Sequence, residues 1–310
     1  MMKSIYFKLI FGSLAAVLCI ALSCASSTPE TKSTPSYSEP SEAFKSYWYS
    51  GLGEVNTFEL KQARYGELRS GEAVQIYVTE PFDTDKQVKS DQEDGNDVRV
   101  MKINFVKKFL TGIYPYSVMT SAFTPVDAET FQQPMKATSS AQEWCGHAFI
   151  QMNQKASGYR AQQFSYFESE GDKDFEMKAE ILEDGLWTSL RMNPEALPVG
   201  KFKVVPSLTY IRFLHIEFKA YDAELRLAHN ENEIVYTVDY PELKRVLRIY
   251  ADNAFPHTIR RWEETYVDGW GAAAQELTTE ATLIHTELLP YWQLNHNSDS
   301  TYRTQIGLSK

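Results

Sequence analysis

The chain has 310 residues, with 31 lysines and arginines against 41 aspartates and glutamates and a formal charge of −10. A surface this acidic repels phosphate backbones and anionic lipid heads, which argues against nucleic acid as a partner. The length suits one large β domain or two smaller ones, and no composition break or internal repeat forces a split.

The first residues have the layered arrangement of a secretory signal. Lys3 and Lys8 form a basic start with no acid before Glu30, and an apolar run from Leu9 to Leu22 is broken only by Gly12 and Ser13. That run is 14 residues long, short of the roughly 20 that a spanning helix requires. Ala21-Leu22-Ser23-Cys24 follows and resembles the lipobox of bacterial lipoproteins, in which the signal is removed and the new N-terminal cysteine is acylated. Cys19 is a poor competitor because Leu18 before it is too bulky. The resemblance implies a signal peptide over residues 1–23 and acyl chains such as palmitate on Cys24. Several such chains, each adding about 0.8 kcal/mol per buried methylene, make a lasting membrane anchor. Ala25 and Ser26 lack the aspartate that resembles an inner-membrane retention signal, so the expected address is the outer membrane of the cell envelope, periplasmic or surface side open.

Residues 24–43 are expected to be linker. Residues 25–41 read ASSTPETKSTPSYSEPS, with too little apolar surface to offset ordering entropy. Without residues 1–23 the charge becomes 29 minus 41, or −12, and Cys145 is the one cysteine left besides Cys24. A lone thiol makes no internal disulfide, so the body over residues 44–310 must be held by its core, for which 17 Phe, 18 Tyr and 6 Trp are available.

Period-two alternation predicts strands over 55–61, 72–80, 98–109, 114–123, 147–153, 159–169, 208–217, 233–240, 243–250, 257–267 and 275–287. In 98–109, Val98, Val100 and Lys102 share one face and Met101, Ile103 and Phe105 the other. Turn residues such as Ser70-Gly71, Ser157-Gly158 and Asn230-Glu231-Asn232 separate several of these segments at short intervals, which favours antiparallel neighbours. Residues 178–193 break the pattern, with Ile181, Leu182, Leu186 and Leu190 near helical spacing and Pro194 as a stop. Gly185 weakens that helix by about 1 kcal/mol relative to Ala and invites a kink. The expected fold is mainly β: an antiparallel curved sheet or partly closed β-barrel, with one short helix and irregular links around 194–206. A β-sandwich is the alternative.

The most suggestive local feature is Glu143-Trp144-Cys145-Gly146-His147. On a continuous strand Glu143, Cys145 and His147 would form one row, with Trp144, Gly146, Ala148, Ile150 and Met152 on the opposite, core-facing side. A thiol beside an imidazole suggests thiol or metal-dependent hydrolysis. Side chains about 7 Å apart along the row exceed hydrogen-bond reach, however, and a zinc site needs three or four ligands. A lone thiol beside Trp and Gly is more often a small packing residue. His215, His229, His257, His285 and His296 show no paired metal spacing.

The run Glu168-Ser169-Glu170-Gly171-Asp172-Lys173-Asp174 lacks the full calcium-loop pattern and reads as a solvated turn. Tyr47-Trp48-Tyr49 and Tyr291-Trp292 could rim a cavity, bind sugar or cap a barrel end. Gly269-Trp270-Gly271 reads as a turn with an aromatic plug, and no GxGxxG, P-loop, GxSxG or HExxH motif occurs, so no cofactor is expected.

The segments QARYGE (62–67), VTEPF (78–82), KKFLTGIYPYSVMTS (107–121), SSAQEWCGHAF (139–149) and SYFESEGD (165–172) resemble a family of uncharacterised lipoproteins from flavobacteria and their relatives, along most of the mature chain. Members of that family have been labelled as Maf septum formation inhibitors. Maf proteins carry an SxSPRR start, which is absent here, so the resemblance implies an envelope lipoprotein and no nucleotide chemistry. The leading expectation is noncatalytic binding of an apolar ligand, a glycan or an envelope partner. The contrasting one is an envelope thiol or metal-dependent hydrolase centred on Cys145, His147 and Glu143.

Overall fold

The computed structural model describes residues 36–309, so the expected signal peptide over residues 1–23 and the expected lipidation site Cys24 lie outside the described residues. Residues 36–43 are docked rather than free linker. The Ser38 N–H donates to Asp127 Oδ2 at 3.1 Å, the Ser38 carbonyl accepts from the Ala128 N–H, and Tyr37 packs against Phe82, Val98 and Val100. Tyr37 supplies apolar surface that the Ser/Thr/Pro composition of the segment hides. Ser41 then caps helix α1 (Glu42–Trp48), its Oγ accepting the Phe44 N–H at 3.2 Å. Phe44 and Trp48, one turn apart, bury together.

The strands are β1 (Gly53–Arg64), β2 (Glu67–Asp83), β3 (Val88–Lys89), β4 (Asp97–Thr111), β5 (Tyr114–Pro125), β6 (Lys136–Glu143), β7 (Gly146–Lys155), β8 (Gly158–Ser165) and β9 (Lys173–Met177), then β10 (Ile181–Leu182), β11 (Gly200–Val205), β12 (Tyr221–His229), β13 (Glu233–Tyr240), β14 (Arg245–Asp252), β15 (Ile259–Asp268) and β16 (Gln275–Leu289). Helices α2 (Glu183–Met192) and α3 (Leu208–Leu214) fall between β10 and β12, and α4 (Tyr302–Gln305) follows β16.

All of these strands join one sheet. It grows outward from β1 through β2 and β4 to β9, while the other half returns from β10 and β11 through β16 to the free side of β1. Every ladder is antiparallel except the short β10–β11 pair, where Ile181 meets Val204. The edge strands β9 and β10 are consecutive in the chain, and the four steps from Met177 to Ile181 span at most about 14 Å. The sheet therefore curls until its edges approach, yet no ladder joins them: it is curved and not closed. A single continuous sheet excludes the sandwich.

The concave side wraps α2 and α3. Residues Glu183–Arg191 of α2 and Leu208–Phe213 of α3 are buried all round, as a helix inside a sheet must be. The expected strand over 208–217 is therefore helix α3. A segment buried on every side shows no amphipathic period, and its Thr and Ile imitate a strand. Among the described residues there are four short α-helices rather than one, and the supposedly irregular 194–206 contains β11. The strand expected over 159–169 stops at Ser165. Helix α2 runs through Gly185 without a break. A Cβ there would stand 2.6 Å from Pro134 Cδ, so the glycine lets α2 approach the chain beneath it.

Candidate functional site

The row of Glu143, Cys145 and His147 does not form. β6 ends at Glu143, β7 begins at Gly146, and Trp144 with Cys145 makes the turn between them. Period-two alternation holds only along an unbroken strand, and this hairpin interrupts it. Glu143 points into the body, 4.0 Å from the Arg212 guanidinium, whereas Cys145 and His147 are exposed. The Glu143 carboxylate accepts the Cys145 N–H at 2.6 Å, and its hydrogen bond and charge push the Cys145 thiol up, opposite to the shift that activates a nucleophile. Trp144 is exposed and stacks on Tyr114, while Ala148, Ile150 and Met152 take the core positions expected of them. Among the described residues no three His, Cys, Asp or Glu side chains are grouped to hold a metal ion.

The acidic run 168–174 is not wholly solvated. Glu170 meets His215 Nδ1 at 2.5 Å and lies 3.8 Å from Arg212 Nη1, closing the loop after β8 over the end of α3. Trp270 is exposed beside Tyr65, with Gly269 and Gly271 both at positive φ, as a turn requires.

The concave interior concentrates charge that spacing alone did not reveal. Glu54 on β1 and Arg191 on α2 form a fully buried bidentate pair at 2.6 and 2.8 Å, with Tyr47 and Asn56 donating to the same carboxylate. The guanidinium lies over Trp48 and Tyr77 and donates to the Pro256 carbonyl. Burial pushes the Glu54 carboxyl up, but Arg191 overrides it and holds the group below its ordinary range. Trp48 thus serves as a core lid over an ion pair. Tyr291 and Trp292 form a separate edge-on pair after β16.

A second cluster joins Arg245 to Glu183 in bidentate fashion at 2.5 and 2.6 Å, with Glu264 on the Arg245 Nε. Beside it Lys107, Asp184, Thr120 and Thr209 line an enclosed cavity of about 20 Å³, the size for one water. Burial lowers Lys107 and the Arg245 charge adds to the shift, against the opposing pull of Glu264, Asp184 and Glu183. Burial likewise raises Asp184 to about 6, even though its carboxylate accepts the Leu208 N–H at 3.0 Å. A perturbed lysine and acid in one cavity is a pattern of functional sites. A space for one water admits no organic substrate.

The ligand-sized space lies on the other side of the sheet. Residues 290–309 turn back over the outer face of β1, β2 and β4. Thr57 donates to the Ile306 carbonyl at 2.5 Å, Tyr302 donates to Glu287 at 3.0 Å, and the Ser309 N–H and hydroxyl both donate to Glu72 Oε2. Between this strap and the sheet is a pocket of about 300 Å³, walled by Val55, Val74, Ile76, Val106, Leu289, Ile306 and Leu308. A broader groove of about 840 Å³ adjoins it, and Glu72, Lys108 and Arg303 line both.

No family model, curated protein or solved structure matches the chain. The site is therefore read from geometry. A signal for the pocket exists in β2, where Val74 and Ile76 are apolar on one face while Ala73 and Tyr77 are apolar on the other. A strand apolar on both faces has both faces covered. Ile306 and Leu308 near the end of the tail are buried against it, with Tyr291 and Tyr302 packed beside them. Lys107 was equally marked, since alternation sets it on the face of Met101, Ile103 and Phe105.

Proposed function

We propose that the chain is an outer-membrane lipoprotein of the bacterial envelope, tethered through acyl chains on Cys24, whose β body binds an apolar ligand without catalysis. One observation carries the binding half: the apolar pocket of about 300 Å³ beneath the C-terminal strap, which falls at the lower end of the range for small-molecule sites. Apolar walls with a few polar groups at the mouth are what such a ligand requires. The tether half rests on the lipobox resemblance at Ala21-Leu22-Ser23-Cys24.

Two measurements test it. Protein purified without detergent exchange and extracted with organic solvent is expected to release a stoichiometric apolar compound by mass spectrometry. A preparation that exchanges no apolar ligand at any concentration contradicts the reading. The Cys24→Ser chain is expected to move from the membrane fraction to the soluble fraction, and an unchanged distribution rejects the tether.

A further inference from the structure

We infer that the end of the sheet carrying the β1–β2, β4–β5, β6–β7, β8–β9 and β15–β16 turns docks on a lipid surface with neutral headgroups, and that the outer face of β2 and β4 leads from that surface to the pocket; the second half rests on the apolar-ligand reading above. From β15 through β16 and β1 to β9 the ladders are antiparallel without interruption, so these five turns lie at one end. Four of them project a bulky side chain into solvent: Ile113, Trp144, Tyr166 and Trp270 are 62–83 % exposed. The turns at the opposite end, such as 90–96, 156–157 and 230–232, are small or polar. Bulky apolar side chains gathered on one exposed surface mark a contact surface.

Chemistry and position both select lipid. Trp and Tyr are the side chains that sit at the level of lipid headgroups. Here Trp144 is stacked on Tyr114 and Trp270 rests 5.3 Å from Tyr65, which holds both indoles at the rim. Ile113, and Leu110 near it at the end of β4, are exposed aliphatic side chains, which suit hydrocarbon better than the face of a sugar. The five turns, 65–66, 112–113, 144–145, 166–172 and 269–274, contain no Lys or Arg, and one of them brings Glu168, Glu170 and Asp172, so nothing in them attracts anionic heads. The outer face then joins this end to the pocket. On β4, Val106 walls the pocket, Lys108 lines both pocket and groove, and Leu110 lines the groove. On β2, Val74, Glu72 and Ser70 take the corresponding places, with Glu72 opposite Lys108. Alternate residues share a face, and four steps of about 3.3 Å set Leu110 about 13 Å from Val106 along the strand.

Flotation of the Cys24→Ser chain, which has no acyl acceptor, with phosphatidylcholine vesicles decides it, alongside calorimetric titration with dodecanol. The chain is expected to float with the vesicles. Ile113→Asp combined with Trp144→Ser should weaken that binding at least tenfold and leave the melting temperature and the dodecanol affinity unchanged. Binding that ignores both substitutions, or that is tighter to phosphatidylglycerol than to phosphatidylcholine, overturns the inference. So does a chain that does not float, and if it forms a dimer that Ile113→Asp disperses, the rim belongs to a second copy. Dodecanol binding without flotation removes the docking surface and leaves the apolar-ligand reading in place. Flotation without dodecanol binding keeps the docking surface and removes the apolar-ligand reading, and with it the path along β2 and β4.

Discussion

Arg191 and Glu54 lie 137 residues apart in sequence and meet with no measurable exposure on either side chain. Their attraction must offset a large desolvation cost, so removing one partner is worse than removing both. Arg191→Met is expected to cost about 3–5 kcal/mol by urea unfolding, whereas Glu54→Leu with Arg191→Met should come out near the wild type. Because the folded Glu54 carboxyl is held below its ordinary value by Arg191 against the cost of burial, the stability it contributes is present above the ordinary glutamate range. That stability is lost as pH falls through the depressed value.

Asp184 has the opposite sign. Burial raises it to about 6 from 3.8, so the folded state holds more protons in that window and stability falls as pH rises through it. The fall is worth up to about 3 kcal/mol. Asp184→Asn keeps an acceptor for the Leu208 N–H and should flatten the profile between those pH values; an unchanged slope would mean that another group sets it. Period-two alternation extended from Met101, Ile103 and Phe105 would place Lys107 on their face, but alternation names a face and not a partner. The acids around Lys107 come from α2 and β15, and nothing in the local sequence announces them.

At the scale of elements, α2 illustrates what a glycine is for. Alanine is the better helix former by about 1 kcal/mol, yet Gly185→Ala would drive a Cβ to 2.6 Å from Pro134. The variant is expected to lose stability rather than gain it, and a higher melting temperature would show that Pro134 yields. Strands with one apolar and one mixed face, such as β4 and β13, were legible from alternation. β6, whose sequence KATSSAQE is small and polar, was not, because its burial comes from neighbours and not from its own hydrophobicity. α3 misled for the complementary reason: buried on all sides, it displays no period. The hairpin at Trp144-Cys145 removed the Glu143–Cys145–His147 row for a local reason, since a turn resets which face each residue occupies.

On the scale of the whole molecule, the curled sheet encloses its charge clusters and helices α2 and α3 on one side and leaves the outer face of β1, β2 and β4 to the C-terminal strap. A general β-rich, curved architecture followed from composition and alternation. The strap did not, because widely spaced apolar residues such as Leu294, Ile306 and Leu308 make a cover only when the sheet they cover is present. Deleting residues 290–310 is expected to leave the β-sheet circular dichroism in place while exposing Val74 and Ile76. Dodecanol affinity should then fall at least tenfold; a truncated chain that binds normally would mean the strap is no wall of the site.

The most direct test fills the pocket rather than opening it. Val74 lies on the outer face and walls the pocket, so Val74→Trp should occupy the space and reduce dodecanol affinity at least tenfold at an unchanged melting temperature. A folded Val74→Trp protein that binds dodecanol as the wild type does would place the ligand elsewhere and contradict the account.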